Sequence, residues 1–196
     1  ANFLAKYLET FDLLNGWLAT TTGTYGTNYR QRAIVDKVGL GAPMPWVSLY
    51  PVALFDRTKA PLTGTKRYVA HFSPETSRPP VRFFWSMTLY DNDGFLVDNE
   101  FDRYLVNDRS KPRYNADGSL DIYIQPDKPA NPAQVRNWLP SPPATSATRG
   151  FRLITRLYGL SDKGIKGVVD GTGWHGPSLL PCAPDGTTTD GVDCAS

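Results

Sequence analysis

The chain has 196 residues, a formal net charge of +2 at pH 7, and 17 glycines and 17 prolines. This length fits one domain with a substantial core, and its lysines and arginines are scattered rather than arranged in the basic stripe of a nucleic-acid groove. No apolar run approaches the roughly 18 residues of a membrane-spanning helix, so we expect neither a nucleic-acid partner nor a membrane span.

Residues 1–40 are predicted to form a helical N-terminal segment. Apolar side chains recur at spacings of three and four, which line one face of a helix over residues 1–20: Phe3, Tyr7, Phe11, Leu14 and Leu18. A second helix is predicted from Tyr29 to Val38, because Asn28 is a favourable N-cap and Gly39 follows its last turn. We therefore expect two N-terminal helices.

Residues 44–181 have the pattern of short strands. Strands are predicted within 46–55, 67–73, 81–90, 94–97, 104–106, 119–125 and 151–158. No helical pattern separates successive strands, which favours antiparallel over parallel pairing. The prolines between 126 and 143 predict an extended surface connection, since proline cannot donate to a sheet.

The predicted fold class is therefore mainly β: an antiparallel jelly-roll-like β-sandwich with two N-terminal helices. We expect one domain over residues 1–196, made of the helical segment, the sandwich over 44–181 and a C-terminal tail over 182–196.

The strand at 81–90 organises this prediction, because apolar side chains alternate there with more polar ones. The face of this strand opposite the apolar one carries Ser86, Thr88 and Tyr90. Alternation places similar side chains on the backs of two later strands: Asp121 and Tyr123 on one, and Arg152, Arg156 and Tyr158 on the other.

The polar faces of these three strands predict a groove for a small hydroxylated or anionic organic ligand. A guanidinium binds carboxylates and other anions, and phenols stack on rings. Trp138 lies in the proline-rich connection and could form a pocket wall or a lid. The expected contacts are Tyr90, Asp121, Trp138, Arg156 and Tyr158. Two other roles stay open for this face: packing against the N-terminal helices, or a subunit contact in an oligomer.

A hydrolytic enzyme is the alternative, and whether the chain is an enzyme stays open. An aspartate pair among the turn carboxylates, or His71 as base, could serve acid–base chemistry in the same groove. No G-x-S-x-G elbow, phosphate loop or dinucleotide motif is present, and no catalytic residue is assigned. His71 and His175 are the only histidines and lack zinc-type spacing, so we expect no metal and no cofactor.

Cys182 and Cys194 are the only cysteines, and they bracket a tail rich in Gly, Asp and Thr. Their even number and position predict a disulfide, which would imply an oxidising, secreted or periplasmic location. Two free thiols in a cytosolic protein remain the alternative.

Several segments, taken in order, resemble the family catalogued as domain of unknown function 1214. They are RFFWSMTLYDNDGFLV at 82–97, NADGSLDIYIQ at 115–125, NWLPSP at 137–142 and RLYG at 156–159, preceded by YGTNYRQRAIVDKVGLGA at 25–42. The resemblance implies a mostly antiparallel jelly-roll-like sandwich. For many members it also implies an exported protein with a second, N-terminal domain of unknown function 1254. It implies no activity, cofactor or catalytic residue.

Overall fold

The computed structural model describes residues 14–19, 25–146, 150–170, 172–188 and 190–194. Within these ranges the strands are β1 (Trp17–Leu18), β2 (Ser48–Leu49), β3 (Val52–Ala53), β4 (Tyr68–Phe72), β5 (Val81–Asp91), β6 (Leu105–Asn107), β7 (Leu120–Gln125), β8 (Trp138–Pro140), β9 (Phe151–Leu160) and β10 (Ser178–Pro181). The α-helices are α1 (Tyr29–Gly39), α2 (Pro132–Val135) and α3 (Asp162–Val169), and 3-10 turns lie at Leu14–Gly16 and Asp108–Ser110.

The strands form two sheets, so the prediction of a mainly β protein is confirmed. The first sheet has the order β1-β3-β9-β5-β6, and β2 also pairs with β9. The second has the order β10-β4-β7-β8. Pairing is antiparallel except between β7 and β8, which are parallel.

Side chains from both sheets meet in one apolar core. On β5, Trp85, Met87 and Leu89 are buried, as the alternation predicts. The ring of Trp85 lies 5.9 Å from that of Phe72 on β4 in the second sheet. Burial of this apolar surface from water is the main stabilising contribution to such a two-sheet arrangement. Each sheet then has one outer face on which the chain can place polar side chains.

The N-terminal prediction is confirmed for α1 alone. The Asn28 side chain accepts a hydrogen bond from the Gln31 amide, 3.1 Å away, as an N-cap does. Residues 1–13 lie outside the described residues. Helix is wrong at Trp17–Leu18, which form β1. Asn15 and Gly16 just before it have φ of 65° and 77°, a left-handed conformation that ends a helix.

Four of the predicted strands are confirmed as β4, β5, β7 and β9, and the 104–106 segment forms β6 one residue later. The predicted strand at 94–97 is wrong, because only Leu96 forms a bridge there, to Tyr90. The 46–55 segment is divided into β2 and β3 by Pro51. β10 and α3 were not predicted.

The proline-rich connection is not a surface segment throughout. Trp138–Pro140 form β8, whose three residues are all buried. This strand lies at the edge of the second sheet, where one side of the backbone needs no partner, and an edge is where a strand tolerates proline. Of the helices in the described part of the chain, none is long and apolar enough to cross a membrane.

Candidate functional site

The outer face of the first sheet brings together side chains from β2, β5 and β9. The register places Ser86 opposite Arg156, and Phe84 and Ser48 on either side of Tyr158. Because side chains alternate along a strand, these residues point away from the core that Trp85 and Leu157 enter. We call this surface the Arg156 face; its members are Ser48, Tyr50, Phe84, Ser86, Thr88, Tyr90, Arg152, Arg156 and Tyr158.

Arg156 is half-buried at the centre of this face. Its Nη2 donates to the Tyr90 hydroxyl at 2.7 Å, and its Nη1 donates to the Thr88 hydroxyl at 3.1 Å. Its guanidinium carbon also lies 5.7 Å from the ring centroid of Tyr50 and 5.4 Å from that of Tyr90. Both hydrogen-bond acceptors are neutral, and the guanidinium has five N–H groups to share. The positive charge is thus held in place but is not neutralised by any carboxylate in the described part of the chain.

Aromatic rings form a wall beside Arg156. Tyr158 stacks on Phe84 at a centroid distance of 4.3 Å and meets the edge of Tyr50 at 6.4 Å. The guanidinium of Arg109, from the 3-10 turn after β6, lies 4.8 Å from the centre of the Phe84 ring. Such contacts fix the ring positions, so the face is organised before any ligand arrives.

The phenol of Tyr158 stays protonated far above neutral pH. Burial raises its pKa from the ordinary value of 10.0, and a hydrogen bond with the Tyr50 hydroxyl raises it further. The positive charge of Arg156 acts in the opposite direction. A neutral phenol can donate as well as accept, so the tyrosines of the Arg156 face can hydrogen-bond to hydroxyl or anionic oxygens.

Two polar atoms of the Arg156 face are buried without a hydrogen-bond partner in the described part of the chain. They are the Ser48 hydroxyl oxygen and the Arg152 Nε. Buried polar groups in native proteins are nearly always hydrogen-bonded, so both atoms call for a water or a ligand. None of Arg109, Arg152 and Arg156 forms an ion pair with any residue that the structure describes.

The outer face of the second sheet is built differently. The register places His71 between Ser178 on β10 and Asp121 on β7. His71 Nδ1 lies 2.6 Å from Asp121 Oδ1, and the Asn115 amide donates to Asp121 Oδ2 at 2.7 Å. We call this surface the His71 face; its members are Val69, His71, Asp121, Tyr123, Gln125, Trp138, Ser178 and Leu180. Here both oxygens of the carboxylate have partners supplied by the chain.

His71 is held ready to carry a proton. Its side chain is 27% exposed, and the hydrogen bond to Asp121 raises its pKa above the ordinary value of 6.5. Burial opposes this effect, while the charges of Asp121 and Asp117 add to it. Asp117 is itself engaged by the Ser119 hydroxyl and amide. The arrangement is that of a structural ion-pair network at a partly exposed imidazole.

Trp138 also has a structural role in the second sheet. It is 1% exposed, and its indole Nε1 donates to the Gln125 carbonyl at 2.9 Å. Its ring meets the edge of Phe101 at 4.9 Å. As a buried member of the edge strand β8, Trp138 is neither a lid nor a loop residue at the Arg156 face.

The C-terminal tail is closed by a disulfide between Cys182 and Cys194, whose Cα atoms are 6.1 Å apart. The Cys182 amide donates to the Arg67 carbonyl just before β4. The Gln134 side-chain amide of α2 donates to the Cys194 carbonyl at 3.5 Å. The tail is thus attached at both ends beside the second sheet.

The five residues predicted as ligand contacts therefore divide between two surfaces. Tyr90, Arg156 and Tyr158 lie together on the Arg156 face, whereas Asp121 and Trp138 lie on the His71 face of the other sheet. The two faces point away from a common core, so no single groove contains all five. Polar side chains at alternate positions show which residues share one face of a strand, but they do not show which sheet the strand joins.

Two members of the Arg156 face, Ser48 and Tyr50, were not selected from the sequence. A usable signal existed, because their spacing of two residues within a predicted strand segment places both on one side.

Within the described ranges no three His, Cys, Asp or Glu side chains are grouped so as to hold a metal ion.

Comparison with known proteins gives a family and a fold. Residues 47–162 match the family described as Protein of unknown function (DUF1214). A crystal structure of the VPA0106 protein from Vibrio parahaemolyticus is similar, with 25% identity and a TM-score of 0.64 over 93% of this chain. An uncharacterised protein from Burkholderia cenocepacia matches 81% of this chain and 35% of its own, at 18% identity and a TM-score of 0.46.

This chain spans 42% of the length of the VPA0106 protein. No curated protein matches it. The family match covers more than half of the chain, from β2 to the start of α3, and includes Tyr90, Arg156 and Tyr158. The chain therefore belongs to the DUF1214 family.

Proposed function

We propose that this chain is an exported, jelly-roll-like β-sandwich protein that binds a small anionic, hydroxylated organic ligand on its Arg156 face. One observation carries the proposal: the half-buried Arg156 guanidinium is oriented by the Tyr90 and Thr88 hydroxyls and has no carboxylate partner among the described residues. A desolvated cation oriented in this way favours an anion, above all a carboxylate that it can bind through two hydrogen bonds.

The rest of the Arg156 face supports the same ligand class. The Tyr50 and Tyr158 rings offer surface for a flat or cyclic body. The half-buried phenols of Tyr50, Tyr90 and Tyr158 offer partners for ligand hydroxyls. A hydroxylated ring that carries one carboxylate satisfies all three features.

The export part of the proposal rests on the Cys182–Cys194 disulfide, because such bonds persist mainly in oxidising compartments. Thiol labelling of the protein in intact cells tests it directly. Cysteines that react only after reduction support export, whereas cysteines that react at once contradict it.

A thermal-shift panel tests ligand binding, since a ligand that binds only the native state raises apparent stability. The panel contains 4-hydroxybenzoate, gluconate, inorganic phosphate, and the neutral counterparts 4-hydroxybenzamide and glucose. We expect a carboxylate to raise the melting temperature. Its neutral counterpart should bind with an affinity at least about tenfold lower.

Variants then locate the site. Arg156→Met removes the charge and should abolish the shift, and Arg156→Lys should weaken binding by about tenfold or more, because an ammonium lacks the planar fork. Arg82→Met makes the same change at an exposed arginine beside Phe83 and should bind normally. A carboxylate shift that survives Arg156→Met, or a panel in which no compound acts, contradicts the proposal.

Neither alternative role is favoured at this surface. His71 and Asp121 lie on the outer face of the other sheet, so they cannot act on a ligand bound at Arg156. An assembly role would instead make the Arg156 face a subunit contact. Sedimentation distinguishes this role, because Tyr158→Glu would then convert an oligomer into monomers.

A further inference from the structure

A groove lies at the edge of the first sheet, beyond β6. It has a volume of about 760 Å³ and runs between the loop that leads into β6 and helix α2. Ligand sites commonly fall between about 300 and 1,000 Å³. We call it the Arg103 groove; the residues that matter below are Phe101, Arg103, Tyr104, Leu105, Val135 and Arg136.

The first wall of the groove is held rigidly by the Asn99 side chain. Its Oδ1 accepts from the Phe101 amide at 3.2 Å and the Arg103 amide at 3.1 Å, and its Nδ2 donates to the Arg103 carbonyl at 3.2 Å. The Phe101 ring is further supported by the buried Trp138. A preorganised wall lowers the entropic cost of binding.

The opposite wall is α2 and the residue after it. Asn131 caps this short helix by accepting from the Ala133 amide at 3.0 Å. Arg103 connects the two walls, since its Nη2 donates to the Arg136 carbonyl. The Arg136 Nη1 in turn donates weakly to the Lys111 carbonyl at 3.4 Å.

The charge of the groove is unbalanced. It contains two guanidiniums, of Arg103 and Arg136, and neither is ion-paired with any of the described residues. Its carboxylate, that of Asp102, already accepts from the Tyr104 hydroxyl at 3.1 Å. Burial lowers the pKa of Arg103 from its ordinary value, which reflects the cost of holding this cation away from water. An incoming anion would offset that cost.

The remaining surface is apolar. Phe101 is 42% exposed and Leu105 is 39% exposed, and Val135 faces them across the groove. Cations at one place beside an exposed phenyl ring and aliphatic side chains match a molecule with one anionic end and one apolar body. This chemistry differs from that of the Arg156 face, where hydroxyl groups surround the cation.

We propose that the Arg103 groove is a second binding site, which takes small amphipathic monocarboxylates. The carboxylate contacts the guanidiniums of Arg103 and Arg136, and the aromatic or alkyl body lies against Phe101 and Leu105. The proposal is independent of ligand binding at Arg156.

Titration calorimetry of the whole chain with 4-phenylbutanoate tests the proposal, and neutral 4-phenylbutanamide is the matched control. We expect saturable binding of the acid and at least about tenfold weaker binding of the amide. Arg136→Met and Phe101→Ala should each raise the dissociation constant by about tenfold or more, whereas Arg82→Met, at an exposed arginine outside the groove, should leave it unchanged.

Arg103→Met is expected to have the largest effect, but it also removes a link between the two walls. Backbone NMR of the unmodified protein therefore provides a test that needs no variant. On addition of 4-phenylbutanoate, the shifted amides should cluster at 101–105 and 133–136. Absence of saturable binding, equal binding of the amide, shifts confined to residues elsewhere, or loss of binding in Arg156→Met alone would each overturn the proposal.

Discussion

The outer faces of the two sheets carry similar residue types but use them in opposite ways. On the His71 face, the carboxylate of Asp121 is bound by His71 and Asn115, and the large ring of Trp138 is buried. On the Arg156 face, the guanidinium has only neutral partners, and the buried Ser48 oxygen has none among the described residues. Polar residues on the outer face of a sheet indicate a binding site only where their hydrogen-bonding groups or charges lack partners within the protein.

This difference has a consequence for stability. Changes on the His71 face should lower the free energy of unfolding, because its groups stabilise one another. Under the proposed function, replacement of Arg156 should alter ligand binding and leave stability nearly intact.

The largest expected effect is that of Trp138→Ala. Removal of this fully buried indole leaves a cavity, and the Gln125 carbonyl keeps only the Ser141 amide as a donor, so we expect a loss of about 3–5 kcal/mol in the free energy of unfolding. Urea denaturation measures it. Phe83→Ala, at a phenyl ring that is 67% exposed, is the matched control and should cost less than about 1 kcal/mol. Equal losses in the two variants would remove the structural role assigned to Trp138.

Replacement of both Cys182 and Cys194 by serine should come next. The bond closes a loop with a sequence separation of 12, and a loop of this size gives about 3 kcal/mol in the chain-entropy model. The midpoint of urea unfolding should fall by the same amount in the double variant and in the reduced wild-type protein. A reduced protein as stable as the oxidised one would show that the tail does not stabilise the second sheet.

His71→Gln should reveal a pH-dependent contribution. Because the fold raises the pKa of His71 above 6.5, its stabilisation is fully present below that pH and is lost as pH rises through the folded-state pKa. The stability advantage of the wild type over His71→Gln should therefore be constant below about pH 6 and shrink as the pH rises from there through the folded-state pKa. His175→Gln is the control, and a pH-independent advantage of the wild type over His71→Gln would argue against the pairing with Asp121.

Arg156→Met should have the smallest effect on stability, within about 1 kcal/mol of the wild type. The half-buried Tyr90 hydroxyl that loses this donor can bond to water, the buried Thr88 hydroxyl loses one hydrogen bond, and one half-buried charge disappears. Urea unfolding without ligand measures the change. A loss as large as that of Trp138→Ala would make Arg156 a structural residue and would erase the difference between the two faces.

Much of the molecule was predictable because its signals are local. The alternation along 81–90 and 151–158 predicts β5 and β9 and assigns their faces correctly from Phe84 onward and along β9. It is wrong at Phe83, which was expected on the apolar face but is 67% exposed, because the register shifts between Val81 and Phe84. Asn28 and Gly39 delimit α1 to within a residue of its observed end. Tyr90, Arg156 and Tyr158 could be grouped because each lies at an alternate position on a long strand.

The errors come from information that is not local. Trp17 and Leu18 follow a helical spacing, yet pairing with β3 and a hydrogen bond from the Trp17 indole to the Pro177 carbonyl place them in a sheet. Trp138–Pro140 lack a strand pattern, yet an edge position beside β7 allows the proline.

The sequence by itself determined a mainly β protein of the DUF1214 family, its long strands and their apolar faces, because side-chain period and turn chemistry are local properties. The tertiary structure decided which strands share a sheet. It thereby separated Asp121 and Trp138 from Tyr90, Arg156 and Tyr158, and it brought Ser48 and Tyr50 to the latter. Sheet partners depend on contacts between residues far apart in the chain, which no local pattern encodes.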